Sequence, residues 1–135
     1  MVPEAMRAAW ILKSDFGYES RIVNLHTLKP IDIAAILRAA RETGVVITAE
    51  EHQIGALAWR VSAVITETPL LYDLPIITGA IGVKDRFGDS GAPWELIKEF
   101  EVSAEHIAQK ALELMEVKGA CLGVEQQLIA GLRER

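Results

Sequence analysis

Three polar clusters in this 135-residue chain hold side chains able to do chemistry. Glu50, Glu51 and His52 follow the apolar run "VVITA". A histidine beside a carboxylate titrates near neutral pH and can serve as general acid or base. Asp85, Arg86 and Ser90 lie in "KDRFGDSG", where the planar fork of Arg86 suits a phosphate or a carboxylate. His26 and Thr27, in "HTLKP", form the third cluster.

Each cluster also has a structural reading. Adjacent residues on an extended segment point to opposite sides, so Glu50, Glu51 and His52 cannot all converge on one substrate atom. On that reading one carboxylate caps the next helix or pairs with a Lys or Arg, and His52 lies at a surface or interface. In the loop, Asp85 and Asp89 fold onto backbone amides, Phe87 inserts into the core, and Gly88 and Gly91 supply unusual backbone angles. His26 reads as a satisfied structural histidine. The three histidines, His26, His52 and His106, lack metal-ligand spacing. No GxGxxG, P-loop or GxSxG pattern occurs. Trp10, Trp59 and Trp94 read as core or interface anchors, and Cys121 as a small apolar residue.

Half of the residues are apolar, which supports one core in a chain of single-domain length. The formal charge of -5, with 14 basic against 19 acidic residues and no dense Lys/Arg cluster, argues against a nucleic-acid footprint. A single cysteine excludes an internal disulfide framework and suits a reducing cytoplasm. No apolar run reaches the roughly 20 residues that span a bilayer, and Glu4 and Arg7 interrupt the N-terminus where a signal peptide would be apolar. The expectation is a cytoplasmic protein without nucleic-acid or membrane partners.

The elements that must position these clusters alternate. Met6, Ala9, Trp10 and Lys13 recur at helical spacing, and Gly17 breaks that pattern. "RIVNL" (21–25) reads as a strand. Asp32 caps a helix reaching about Glu42, with Ile33, Ile36, Leu37 and Ala40 inward and Gly44 as its stop. "VVITAE" is the second strand. A helix over 56–67 turns Leu57, Val61, Val64 and Ile65 inward, and "PIITGAIG" is the third strand. Pro93 starts a short helix, Ser103 caps the next, with Ile107, Ala111, Leu114 and Met115 inward, and "VEQQLIAGLRER" forms a last amphipathic stretch. Nearly all-apolar strands alternating with helices predict a three-layer α/β/α sandwich with a mostly parallel sheet. The clusters then gather beyond the carboxyl ends of the strands, where such sheets place their sites. Three strands make a narrow sheet for so many helices, and one or more N-terminal strands are expected to be lacking.

Taken in order, "RIVNLHTLKPID", "VVITAEEHQIGAL" and "IGVKDRFGDSGAPWELIKEFEVSAEHI" resemble the C-terminal domain of transketolase. That fold is shared with 1-deoxyxylulose-5-phosphate synthase and the beta subunits of 2-oxo acid dehydrogenases. The resemblance covers about residues 1–116, leaving 117–135 as a helical extension, and "IGVKDRFGDSG" favours transketolase. The chain departs at the turn after Glu-Glu-His: Gly55, Ala56, Leu57, Ala58 and Trp59 replace a glycine-rich turn. It also begins near the turn that follows the family's first strand, as a split or N-terminally truncated transketolase would.

The resemblance implies a domain that contributes no catalytic residue, binds no cofactor or metal itself, and packs against its neighbours. Thiamine diphosphate and a divalent metal (Mg or Ca) are implied for the complete enzyme, which transfers two-carbon ketol units between sugar phosphates. Its Gly-Asp-Gly signature is absent from this sequence. The implied partners are the N-terminal transketolase domains or subunit, and a second copy in a homo-oligomer. Glu51, His52, Asp85, Arg86 and Ser90 become interface or anion contacts, and the isolated chain is expected to be inactive. The alternative is a small regulatory module that binds an anionic metabolite through the Asp85–Gly91 loop.

Overall fold

A computed structural model describes residues 1–133, with side-chain surroundings for residues 1–123. Along the chain lie α1 (Val2–Phe16), α2 (Ile33–Thr43), β1 (Val45–Gln53), α3 (Ala56–Glu67), β2 (Ile77–Val83), α4 (Pro93–Glu99) and α5 (Ala104–Arg133). A short 3-10 turn, Pro69–Leu71, follows α3.

β1 and β2 pair in parallel from Val45 opposite Ile77 to Ala49 opposite Ile81; a shift in register then sets Gln53 opposite Val83. Parallel neighbours need a crossover, and α3 supplies it. Side chains alternate across β1, so Val46 enters one core while Ile47 and Ala49 enter the other. Ala8 and Leu12 of α1 pack with Ile107, Ala108 and Ala111 of α5 and with Ile81 on one face. Ile36 and Ala40 of α2 pack with Val61 and Ile65 of α3 and with Leu71 on the other. Helices therefore cover both faces of a parallel sheet, the three-layer α/β/α arrangement that the apolar strands predict.

Local chemistry fixes the ends of these elements. Asp32 Oδ1 accepts the Ala35 N–H at 2.9 Å, closing the start of α2. Gly44 ends α2 in the left-handed conformation at φ 68°, where a side chain would be strained. Lys118 Nζ, from α5, donates to the Thr43 carbonyl at 2.8 Å and satisfies one of the helix's last acceptors. At Gly79 an added Cβ would lie 2.5 Å from Leu114 Cδ1, so α5 sits directly on the backbone of β2.

The structure corrects several expectations, and Ile33, expected inward on α2, is 51% exposed. Residues 21–25 form no strand, and the sheet has two strands among the described residues. Ile22 and Val23 are exposed, Arg21 pairs with Glu42, and Leu25 packs on the α2–α3 core. β-branched composition favours extension, but a strand also needs a neighbour for its amides, and none lies beside it. The two helices expected after residue 103 are one, because no proline interrupts 104–133; α5 therefore crosses residues 116 and 117 without a break. The amphipathic pattern expected over 124–135 lies outside the residues whose side chains are described. In α1 the helical spacing holds, but Met6 and Trp10 face outward, and Ala8 and Leu12 are the buried positions. At the start of α5 the Ala104 N–H donates to Glu4 Oε2 at 2.8 Å. The hydroxyl of Ser103 instead contacts Glu105 Oε2 and His106 Nδ1.

Ile36 is 3% exposed at the centre of the α2–α3 core. Ile36→Ala should destabilise the fold by about 2–4 kcal/mol. Trp59→Ala, at a residue 73% exposed, should cost less than about 1 kcal/mol. Urea unfolding followed by circular dichroism measures both.

Candidate functional site

Successive residues at the end of β1 alternate in direction, which separates the three members of Glu-Glu-His. Glu50 turns inward and is 5% exposed. Glu51 and His52 have side chains 66% and 57% exposed. Glu50 Oε1 accepts the Gly55 N–H at 2.9 Å and the Ala58 N–H at 3.3 Å, while Oε2 accepts the Leu57 N–H at 2.9 Å. A carboxylate thus satisfies amides that open α3, a place where the helix dipole also favours negative charge. The capping role foreseen for one of the two carboxylates belongs to Glu50.

Space for this carboxylate comes from the neighbouring strand. A Cβ at Gly82 would lie 2.9 Å from Ile54 Cγ1, 3.0 Å from the His52 carbonyl oxygen and 3.2 Å from Glu50 Cγ. The sequence reading gave Gly82 no role, although a glycine inside a strand signals close approach of another group. Gly55, at φ 138°, makes the turn into α3, and the Trp59 ring lies against it.

His52 Nδ1 is 2.8 Å from the Gln53 carbonyl oxygen. A carbonyl only accepts, so Nδ1 carries a proton, and Nε2 lies 3.5 Å from Glu50 Oε2. Glu50 Oε2 thus meets both the Leu57 N–H and the His52 ring.

Gln53 Nε2 donates to the Arg86 carbonyl at 2.8 Å, and this bond brings the second and third polar clusters to one edge of the sheet. The Arg86 guanidinium donates to Glu99 Oε1 at 2.7 Å and lies over the Phe100 ring, 4.1 Å from its centroid. It is already matched by a carboxylate and an aromatic face. Asp85 takes a positive φ of 36°, and Asp89 Oδ1 accepts the Ser90 N–H at 3.0 Å. Phe87 is 98% exposed, which overturns its expected place in the core. The loop is tied at its base through Gln53 and Glu99, and its tip projects from the domain. Trp10, Trp59 and Trp94 are also exposed, so none is a core residue. His26 Nδ1 bonds Thr27 Oγ1 at 2.8 Å, and no hydrogen bond links this cluster to the other two.

Lys84 forms an ion pair with Glu101 on the far side of the loop. Its ammonium, by hydrogen bond and charge, holds the Glu101 carboxyl below the ordinary glutamate range. Among the described residues, no group of three or more His, Cys, Asp or Glu side chains is placed to hold a metal ion. No helix there is long and apolar enough to cross a membrane.

Glu50→Ala strands the amides of Gly55, Leu57 and Ala58 and should destabilise the fold by about 2–4 kcal/mol, whereas Glu51→Ala should change it by less than about 0.5 kcal/mol. Equilibrium denaturation discriminates the two. A depressed carboxyl pKa stabilises the fold above the unfolded value, and that contribution fades as pH falls through the folded one. Lys84→Met should therefore lower the melting temperature near neutral pH, and the difference from the parent should shrink as pH falls through the lowered Glu101 value.

Comparison with known proteins gives this geometry a context. The sequence signature of the family described as "Transketolase, C-terminal domain" matches residues 1–107. The 6-deoxy-6-sulfo-D-fructose transketolase subunit SqwH of Clostridium sp. (strain MSTE9) is 36% identical over 119 residues, covering 87% of this chain and 35% of that subunit. A putative transketolase C-terminal section of Methanocaldococcus jannaschii is 39% identical over 116 residues, covering 85% of this chain and 34% of that protein. A solved structure described as "Split gene transketolase, inactive beta4 tetramer" superposes with a TM-score of 0.72 at 38% identity, over 83% of this chain and 36% of that one. The chain thus spans about a third of the length of the relatives it matches. With the signature covering most of its residues and an α/β fold to match, this chain belongs to the transketolase C-terminal domain family.

Proposed function

We propose that this chain is the non-catalytic C-terminal part of a thiamine-diphosphate-dependent transketolase and acts through protein contacts. One observation carries this reading: Glu50, the buried carboxylate at the end of the sheet, has both oxygens engaged by the backbone of α3. The three amides give this carboxylate structural work at the start of α3. No step of ketol transfer is assigned to this chain's residues. Residues 1–116 act as the family domain and 117–135 as an extension of it.

The partner is the polypeptide carrying the cofactor-binding domains, and a second copy of the assembled unit completes a dimer. Exposed aromatics support this role. Phe87 and Trp59 flank the edge where Gln53 meets the Arg86 loop, and aromatic side chains of this kind anchor interfaces once covered. The alternative, an anionic metabolite bound by the Asp85–Gly91 loop, would need Arg86 to leave Glu99 and Phe100.

Mixing the chain with the N-terminal transketolase polypeptide should give ketol transfer that neither piece gives alone. Failure of the two to associate in gel filtration would sink the reading. Phe87→Ala should weaken the complex about tenfold or more while leaving the melting temperature of the free chain unchanged. Calorimetry with a sugar phosphate should show no binding to the free chain; heat abolished by Arg86→Ala would favour the alternative.

A further inference from the structure

Helix α5 leads away from the rest of the domain. The Ala104 N–H donates to Glu4 Oε2, so α1 and α5 start side by side. Ala8 and Leu12 pack with Ile107, Ala108 and Ala111, so the two helices run in the same direction. At equal rise per residue, α1 ends at Phe16 level with about residue 116 of α5. Two residues further on, Lys118 reaches the Thr43 carbonyl at the amino end of the sheet. α5 continues to Arg133, about 20–25 Å beyond that point.

Among the described residues, nothing covers this far half. A Cβ added at Gly119 or Gly123 would meet nothing within 4 Å, whereas at Gly79 Leu114 of the same helix lies against the strand. Val117 is 48% exposed, and Cys121 is exposed. Glycine is a poor helix former, and a lone helix of about 15 residues is marginal in water, so this half needs a partner. Its sequence offers an apolar row: Val117, Cys121, Val124, Leu128 and Leu132 recur at intervals of three or four.

The end of the domain that α5 leaves is apolar as well. α3 starts at the Glu50 carboxylate, at the carboxyl end of the sheet, and so finishes at the amino end, where Leu70 and Tyr72 follow it. Both are exposed, as is Phe16 at the end of α1. Leu74 lines a shallow hollow with Lys118. α5 is one unbroken helix, so its far half cannot turn back to cover this surface in its own chain. A second copy carries the same row and the same surface, and a two-fold axis satisfies both at once.

We infer that the far half of α5, residues 117–133, pairs antiparallel with the same helix of a second copy, its end reaching the Leu70–Leu74 surface of that copy. This contact lies outside the family signature, which ends at residue 107, and does not depend on the proposed function.

Sedimentation of the full chain alone over a range of concentrations tests this. A monomer–dimer equilibrium is expected. The thiol of Cys121, the one cysteine, should react with a disulfide reagent about tenfold more slowly in the dimer than in the dilute monomer. Val117→Glu should abolish the dimer and keep the near-ultraviolet circular dichroism. Met6→Glu, at an exposed residue near the other end of α1, should leave the dimer intact. Tyr72→Ala should weaken it about tenfold. A chain that stays monomeric overturns the inference and spares the proposed function. A dimer that survives Val117→Glu, or that Tyr72→Ala leaves unchanged, overturns it too. So does shielding of Cys121 only on mixing with the N-terminal transketolase polypeptide, because the occupant would then be that chain.

Discussion

The Glu50 carboxylate ties together the end of β1, the turn at Gly55 and the start of α3. A parallel strand pair needs a helical crossover, and the helix must leave the first strand at a defined angle to cover the sheet. A buried carboxylate accepting amides from the next element sets that angle. It is held where the positive end of the helix dipole stabilises its charge. β2 accommodates it through Gly82, whose missing side chain leaves room for Glu50 Cγ. The two strands and the crossover therefore meet at one group.

That arrangement separates two meanings of a polar cluster at the carboxyl end of a sheet. Such ends gather loops and helix starts, and so gather the charged side chains that build sites. They also gather unsatisfied amides that need acceptors. Here the second need absorbs the buried carboxylate, and the Gln53–Arg86 contact and the Arg86–Glu99 pair tie the third cluster into the same edge. Glu51, His52, Trp59 and Phe87 are left exposed on the outside.

Much of the fold was legible in the sequence because its signals are local. Asp32 and Gly44 bracket α2 through a side-chain cap and a left-handed residue, and neither depends on distant parts of the chain. The apolar run Val45–Ala49 and the run after Pro75 required burial on both faces, which only a parallel sheet under helices gives. Phe87 was misplaced because an aromatic in a glycine-bearing loop packs inward or projects according to what the loop is tied to, and those ties run to Gln53 and Glu99. Met6 and Trp10 were at helical spacing on the wrong face, since α1 buries the smaller Ala8 and Leu12 against α5.

By itself the sequence determined the helices up to residue 103, the parallel pairing of two apolar strands and the membership of a family, since propensity, capping and motif order are carried by neighbouring residues. Tertiary structure decided which carboxylate of Glu50 and Glu51 is buried, that Arg86 spends its charge on Glu99, and that residues 21–25 stay unpaired. Each of these depends on groups brought together from distant positions: the α3 amides around Glu50, a carboxylate 13 residues beyond Arg86, and a neighbouring strand for 21–25. A hydrogen bond or a β-ladder exists only when its partner is within reach, and the reach is set by the folded backbone.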